Sequence, residues 1–148
     1  MTTATYETDF YAWSLRQADL LRNEDYADLD LDNLIEEIED MAKSQYRELK
    51  SRLVVLLRHL LKLASRPGVG PSRGWRLTVK EQRYQIHDLL RANPSLRRFL
   101  PEFVSELYAM ASDLAGDDLA NDDLQGAKLP DHCPWTTDQI LDLDWLPT

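Results

Sequence analysis

Hydrophobic positions recur at helical spacing along this chain, most clearly between residues 31 and 65. Apolar side chains follow one another there at intervals of three or four, at Leu31, Ile35, Ile38, Ala42, Tyr46, Leu49, Leu53, Leu56, Leu60 and Leu63. Because this spacing puts them on one helix face, it predicts a single long helix around which other elements assemble. Val54, Leu57 and Leu61 widen the stripe in its second half, which we expect to lie deeper in the core.

Shorter helical patterns lie on both sides of this segment. They cover about residues 9–22, 72–93 and 96–114, and a stretch from Thr137 that follows a capping box formed by Thr136 and Gln139. Pro101 either starts the main part of the fourth helix or kinks it. Pro67 and Gly68 are expected to end the long helix.

These patterns predict an all-α fold. We expect a helical bundle with one long central helix at about residues 31–65, three shorter helices and a short C-terminal helix. Strict apolar–polar alternation is brief everywhere, and the Asn-Gly and Asp-Gly signals of β-hairpins are absent from the sequence. Residues 1–148 are predicted to form a single domain, with an irregular acidic loop at about residues 116–134.

Six segments, in their order and combination, resemble one protein family. They are YETDFYAWSLRQADLLR, LDLDNLIEEIEDM, LKSRLVVLLRHLLKL, SRGWRLTVKEQRYQI, NPSLRRFL and CPWTTDQILDLDWLP. This set is similar to the bacterial "domain of unknown function 29" family, most strongly over Tyr6 to Phe103 and again from Cys133. The resemblance implies a small, stand-alone, all-α bacterial protein. It brings no reaction, ligand or catalytic residue with it.

Size and composition favour a folded protein that acts in the cytoplasm. With 148 residues, of which 43% are hydrophobic, the chain is long enough to bury a core without disulfides or metal. Its longest apolar run, Leu53 to Leu57, is far below the roughly 20 residues that span a bilayer. The N-terminal residues lack the pattern of a secretory signal, and Cys133, the single cysteine, has no internal disulfide partner.

Charge is strongly partitioned along the chain, whose formal net charge is −9. Residues 1–42 carry a net charge of −10, residues 43–98 carry +11, and residues 99–148 carry −10. Folding the acidic ends beside the basic middle would lower the electrostatic self-repulsion of the chain. We therefore expect many basic side chains of the middle block to pair internally.

Gly70, Ser72 and Gly74 match the pattern G-x-S-x-G of a nucleophile elbow. That motif requires a strand before the serine and a helix after it. Here a predicted helix precedes it, so we expect Ser72 to lie in a turn between helices or to cap the next helix.

The same stretch also suggests an anion site. Arg66, Arg73 and Arg76 flank a glycine-rich loop beside Trp75, where a helix is predicted to begin, and helix N-termini attract anions. Arginine beside an aromatic ring also suits the stacking of single-stranded bases. These four residues are the candidate contacts for phosphate or nucleic acid, in competition with the acidic blocks of the chain itself.

Metal and catalytic chemistry find weaker support. The acidic run Glu36, Glu37, Glu39 and Asp40 lacks the Glu-x-x-His pattern of helical metal centres, so we expect a solvated helix face. His59 is expected to be a partly buried residue bonded to a neighbour, and Cys133 an anchor of its loop. No cofactor and no metal is predicted.

The leading functional hypothesis is a non-enzymatic module for protein interaction or self-association. Its partner would be another protein or a second copy, with no membrane involved, and one version is an acidic protein that masks a basic partner. The first alternative is nucleic-acid or phosphate binding through the basic middle segment. The second is an enzyme or metalloprotein that uses His59, Cys133 or the cluster from Glu36 to Asp40.

Overall fold

The computed structural model describes residues 5–124 and 126–147, and within these ranges every regular element is helical. The α-helices are α1 (Phe10–Arg22), α2 (Leu31–Ser65), α3 (Ser72–Ala92), α4 (Leu100–Asn121) and α5 (Thr137–Leu141). Short 3-10 helices cover Tyr26–Asp28 and Pro94–Phe99. The all-α prediction is confirmed, including a long helix at the predicted bounds, three shorter helices and a short C-terminal helix.

The chain divides into two compact units, and the boundary between them falls within α2. Unit 1 runs to Ser44 and unit 2 begins at Gln45. That residues 1–148 form a single domain stays a prediction.

Unit 1 is a pair of helices held together by a polar cluster. The indole Nε1 of Trp13 donates to Asp30 Oδ2 at 3.0 Å, and the backbone N–H of Asp30 donates to Gln17 Oε1 at 2.8 Å. Asn33 Nδ2 also donates to Asp30, at 2.9 Å, and this bond holds the pKa of the Asp30 carboxyl below its usual value. Trp13 and Gln17 are the buried residues of α1. Side-chain hydrogen bonds therefore hold these two helices together to a large extent.

The helices of unit 1 run antiparallel. Tyr6, just before α1, donates its hydroxyl to Glu37, whereas Gln17, further along α1, reaches back to Asp30. The bond to Glu37 raises the pKa of Tyr6 to about 12. The Tyr6 and Trp13 rings meet edge to face, with their centroids 4.9 Å apart.

The apolar stripe of α2 behaves differently in its two halves. Its second half supplies the fully buried leucines Leu49, Leu53, Leu56, Leu57, Leu60 and Leu61, as predicted. In its first half Leu31, Ile35 and Ile38 are 57%, 53% and 63% exposed, so this part of the stripe lies largely outside the core. The periodicity identified the helix correctly, but it could not show which part of the stripe is covered.

Unit 2 contains the hydrophobic core. The buried side chains of α2 pack with those of α3, α4 and α5 in one cluster, which includes Trp75, Ile86, Leu90, Phe103, Leu107, Ala111, Leu119 and Ile140. Burial on this scale is the main source of folding free energy for a domain of this size.

Most helices begin or end at the proline and glycine residues that predicted their boundaries, with one exception. Gly68, with a φ of +78°, occupies the left-handed turn after α2. Pro101 lies in the first turn of α4, so it starts this helix and does not kink it. Helix α4 continues past Gly116 to Asn121, so the irregular acidic segment is shorter than predicted.

A buried arginine helps to hold the C-terminal segment of unit 2 in place, together with His87, whose Nε2 lies 2.7 Å from the Leu141 carbonyl oxygen. Thr136 and Gln139 form the predicted capping box at the start of α5. Arg83, which is 1% exposed, donates to the backbone carbonyls of Ile140 at 2.8 Å, Trp145 at 2.6 Å and Gln139 at 3.2 Å. This side chain thus ties α3 to the tail.

Candidate functional site

The G-x-S-x-G stretch is a turn between helices. Ser72 is the first residue of α3 and is buried, and its Oγ accepts a hydrogen bond from Arg76 Nη2 at 3.5 Å. Helix α2 precedes the turn where a nucleophile elbow needs a strand. The surroundings of Ser72 therefore match a helix start.

The four candidate anion contacts do not form one surface. Trp75 is 5% exposed and packs in the core of unit 2, with Lys62 Nζ 5.1 Å from the centre of its ring. Its ring offers no free face on which a base could stack. Arg66 Nη1 donates to the Ser65 carbonyl at 3.0 Å, while Arg73 and Arg76 are exposed on α3. Trp75 is therefore not accessible as a contact for phosphate or nucleic acid, and the role of the arginines stays a prediction.

Part of the basic middle block pairs internally around Asp118. Arg58 donates to both carboxylate oxygens of Asp118 at 2.6 Å, and Lys62 Nζ lies 3.0 Å from Oδ2. Hydrogen bonds from Arg58, together with Lys62, lower the pKa of Asp118 to about 2. Lys50 likewise pairs with Glu106 at 2.8 Å. This part of the charge pattern serves the fold.

His59 and Cys133 each bond to the backbone close by in the sequence. His59 Nδ1 lies 2.8 Å from the Val55 carbonyl oxygen, and burial lowers the pKa of the ring. Cys133 Sγ lies 3.6 Å from the Trp135 carbonyl oxygen, and burial raises the pKa of the thiol. A raised pKa keeps the sulfur as a thiol, the less nucleophilic form.

Two kinds of site are absent from the described part of the chain. No group of three or more His, Cys, Asp or Glu side chains is arranged to hold a metal ion, within residues 5–124 and 126–147. None of the helices described there is both long enough and apolar enough to span a membrane.

An open apolar groove lies in unit 1, between α1 and the first half of α2. We call it the unit 1 groove. It has a volume of about 310 Å³ and is lined by Phe10, Trp13, Ser14, Gln17, Ala18, Leu21, Leu34, Glu37, Ile38 and Met41. Met41 is 68% exposed, and Phe10 and Leu21 are about half exposed. Contiguous exposed apolar surface of this kind marks interaction sites more often than isolated exposed residues do.

Unit 1 also carries many carboxylates without partners. Eight of its exposed acidic residues have neither an ion pair nor a side-chain hydrogen bond to any described residue: Glu7, Glu24, Asp25, Asp28, Asp32, Glu36, Glu39 and Asp40. Across the unit as a whole, twelve acidic residues stand against three basic ones. One of those bases, Arg22, already pairs with Asp19 on α1. Unit 1 thus combines an open apolar groove with uncompensated negative charge.

Sequence reasoning missed both the groove and the role of Arg83. A signal for the groove was present, because α1 and the first half of α2 each carry an apolar stripe while only a short segment joins them. Two helices cannot bury two such stripes against each other completely. No local signal distinguished Arg83 from the other arginines of the basic block, since its three acceptors lie more than fifty residues away.

Comparison with known proteins agrees with the fold and assigns no activity. The profile of the family described as "Domain of unknown function DUF29" matches residues 5–146. The chain is also similar to an alpha-helical protein of unknown function from Rhodospirillum rubrum, known from a 1.45 Å crystal structure. Identity is 27%, the TM-score is 0.68, and the match covers 97% of this chain and 93% of the other. No curated protein matches the chain. Since the family profile spans nearly the whole sequence, the chain belongs to the DUF29 family of proteins of unknown function.

Proposed function

We propose that this protein is a non-enzymatic protein-interaction module and that the unit 1 groove is its docking surface. One observation carries the proposal: the groove is apolar and open, and Ile38 and Met41 on its α2 wall are 63% and 68% exposed. An apolar face of this size costs free energy while it is in contact with water, and a partner that covers it recovers that free energy.

Two features of the chemistry are consistent with a role other than catalysis. His59, Ser72 and Cys133 each bond to their own neighbours, and no bond joins any two of them within the described chain. A nucleophile, by contrast, needs a base within hydrogen-bond reach. The proposal places the protein in the cytoplasm, where an unpaired cysteine stays reduced.

The test is site-specific photo-crosslinking in the source cell. A photoreactive amino acid at position 38, in the groove, is compared with the same residue at position 77 on α3. Leu77 is a matched control for Ile38, because the two side chains are 62% and 63% exposed. We expect a reproducible adduct at position 38, identified by mass spectrometry as one protein or as a second copy of this chain, and its loss on Met41→Asp. Equal labelling at both positions would contradict the proposal.

A second candidate function is binding of an anionic ligand or nucleic acid on α3. Arg73, Arg76 and Lys80 are exposed at helical spacing, and the last two line a groove of about 400 Å³ with Tyr84. Asp144 lies in the same lining and competes for these cations. Titration with labelled oligonucleotides at two salt concentrations tests this candidate. Genuine binding weakens as salt rises and disappears in Arg73→Ala/Arg76→Ala.

A further inference from the structure

We infer that the occupant of the unit 1 groove is a cationic amphipathic helix of a partner protein. This inference rests on the proposed function and adds the chemistry of the partner to it. Three properties of unit 1 support it, namely the shape of the groove, the spacing of its apolar side chains and the charge around it.

The shape suits a helix. The groove lies between two antiparallel helices, α1 and the first half of α2, and a third helix laid along such a pair completes a bundle. Ser14 and Ala18 are the small residues of its α1 wall, so a partner side chain can approach the helix backbone closely there. Recognition of this kind is the helix-in-groove mode, in which an apolar helix face is buried.

The apolar side chains are spaced to receive such a face. Leu34, Ile38 and Met41 follow the groove along α2 at steps of four and three, and Phe10 and Leu21 lie towards opposite ends of α1. A partner helix with apolar residues at the same steps would meet a matching row over about two turns.

Charge selects a cationic partner over a second copy of unit 1. Unit 1 as a whole is strongly negative, because it carries twelve acidic residues and three basic ones. A second copy that docked by the same groove would bring two units of the same charge together, which is unfavourable. A partner with lysine or arginine on its polar face would be attracted by this charge, which would also speed association.

The experiment uses the full chain and a pair of labelled helical peptides. Both peptides carry leucine at the same helical positions, and their polar positions are either all lysine or all glutamate. Fluorescence anisotropy measures binding at two salt concentrations. We expect the lysine peptide to bind and the glutamate peptide not to bind, with affinity for the lysine peptide falling as salt rises. A lysine peptide with the same composition but scrambled leucine positions is expected to bind at least about tenfold more weakly.

Variants of the protein locate the binding. Ile38→Asp/Met41→Asp should weaken binding of the lysine peptide by at least about tenfold, while Leu77→Asp should leave it unchanged. Glu36→Gln/Glu39→Gln, which lowers the negative charge of unit 1 without altering the groove lining, should weaken it less than the first variant and reduce its salt dependence. Both altered positions in the first variant are exposed, so folding should be preserved, and circular dichroism checks this.

The outcomes separate the partner chemistry from the proposed function. The inference is overturned if the scrambled or the glutamate peptide binds as well as the lysine peptide, if no peptide binds, or if Ile38→Asp/Met41→Asp has no effect. Light scattering is run on the same variants. If peptides fail but Ile38→Asp/Met41→Asp converts a dimer to a monomer, the groove is a self-association surface, and the proposed function stands without a cationic partner.

Discussion

The two halves of α2 share one apolar stripe and have opposite surroundings. Leu53, Leu56 and Leu60 have no exposed surface, whereas Ile35 and Ile38 are more than half exposed. The residues differ little in hydrophobicity, so the contrast reflects what covers them. Three further helices, α3, α4 and α5, contribute to the core that buries the second half, and within unit 1 only α1 accompanies the first half.

Charge follows the same division. In unit 2 most bases of α2 are paired; Arg58 and Lys62, for example, share Asp118, and Lys50 pairs with Glu106. In unit 1 the exposed acids of α2 have no such partners within the described chain. Most charges beside the covered part of the stripe are therefore paired, and those on the open part are not. The difference accords with the proposal that the first half of α2 contacts another molecule.

Truncating a leucine in the covered half should have the largest effect. Leu56→Ala should lower the free energy of unfolding by about 2–5 kcal/mol, because it leaves a cavity in a fully buried site. Ile38→Ala is the matched change in the open half and should cost less than about 0.5 kcal/mol. Urea denaturation of both variants measures the contrast. Similar losses would mean that the two halves are equally covered.

Removing the buried Arg83 should loosen the contact between the C-terminal segment and α3. Arg83→Met removes the donor that bonds the carbonyls of Ile140 and Trp145, and one of the two donors to Gln139, which should cost about 1–3 kcal/mol. Arg91→Met, at an exposed position on the same helix, should be close to neutral. Thermal unfolding gives the stabilities, and hydrogen exchange of the amides from Thr137 to Leu141 reports whether the tail has detached. An unchanged melting temperature for Arg83→Met would show that the tail is held in another way.

Asp118 should make the stability of unit 2 depend on pH. Its folded pKa of about 2 lies below the ordinary value of 3.8, so its contribution is complete above that ordinary value and is lost as pH falls towards 2. Asp118→Asn should therefore cost about 1–2 kcal/mol at neutral pH, with the difference from the unchanged protein shrinking in acid. Glu39→Gln, in unit 1, is expected to show neither effect. Denaturation curves at pH 7 and pH 3 measure this difference in stability. A loss of stability that is the same at both pH values would argue against the ion pair.

Sequence patterns predicted the helices well and the exposed surface poorly. Periodicity depends on local geometry, so it located α2 and separated its deeper half through Leu57 and Leu61. Whether a stripe is covered depends on elements distant in sequence, and no pattern at Ile35 or Ile38 reports that. Trp75 illustrates this, since its neighbouring arginines suggested an open site, whereas packing in the core of unit 2 leaves it 5% exposed.

The most direct test of the central claim is hydrogen exchange along α2, measured in dilute solution with and without the lysine peptide. In the free protein, amides from Leu31 to Met41 should exchange through local opening, and those from Leu49 to Leu63 only near global unfolding. Adding the peptide should slow exchange in the first segment and leave the second unchanged. Equal, slow exchange along the whole helix in the free protein would contradict the claim that its first half is an open docking surface.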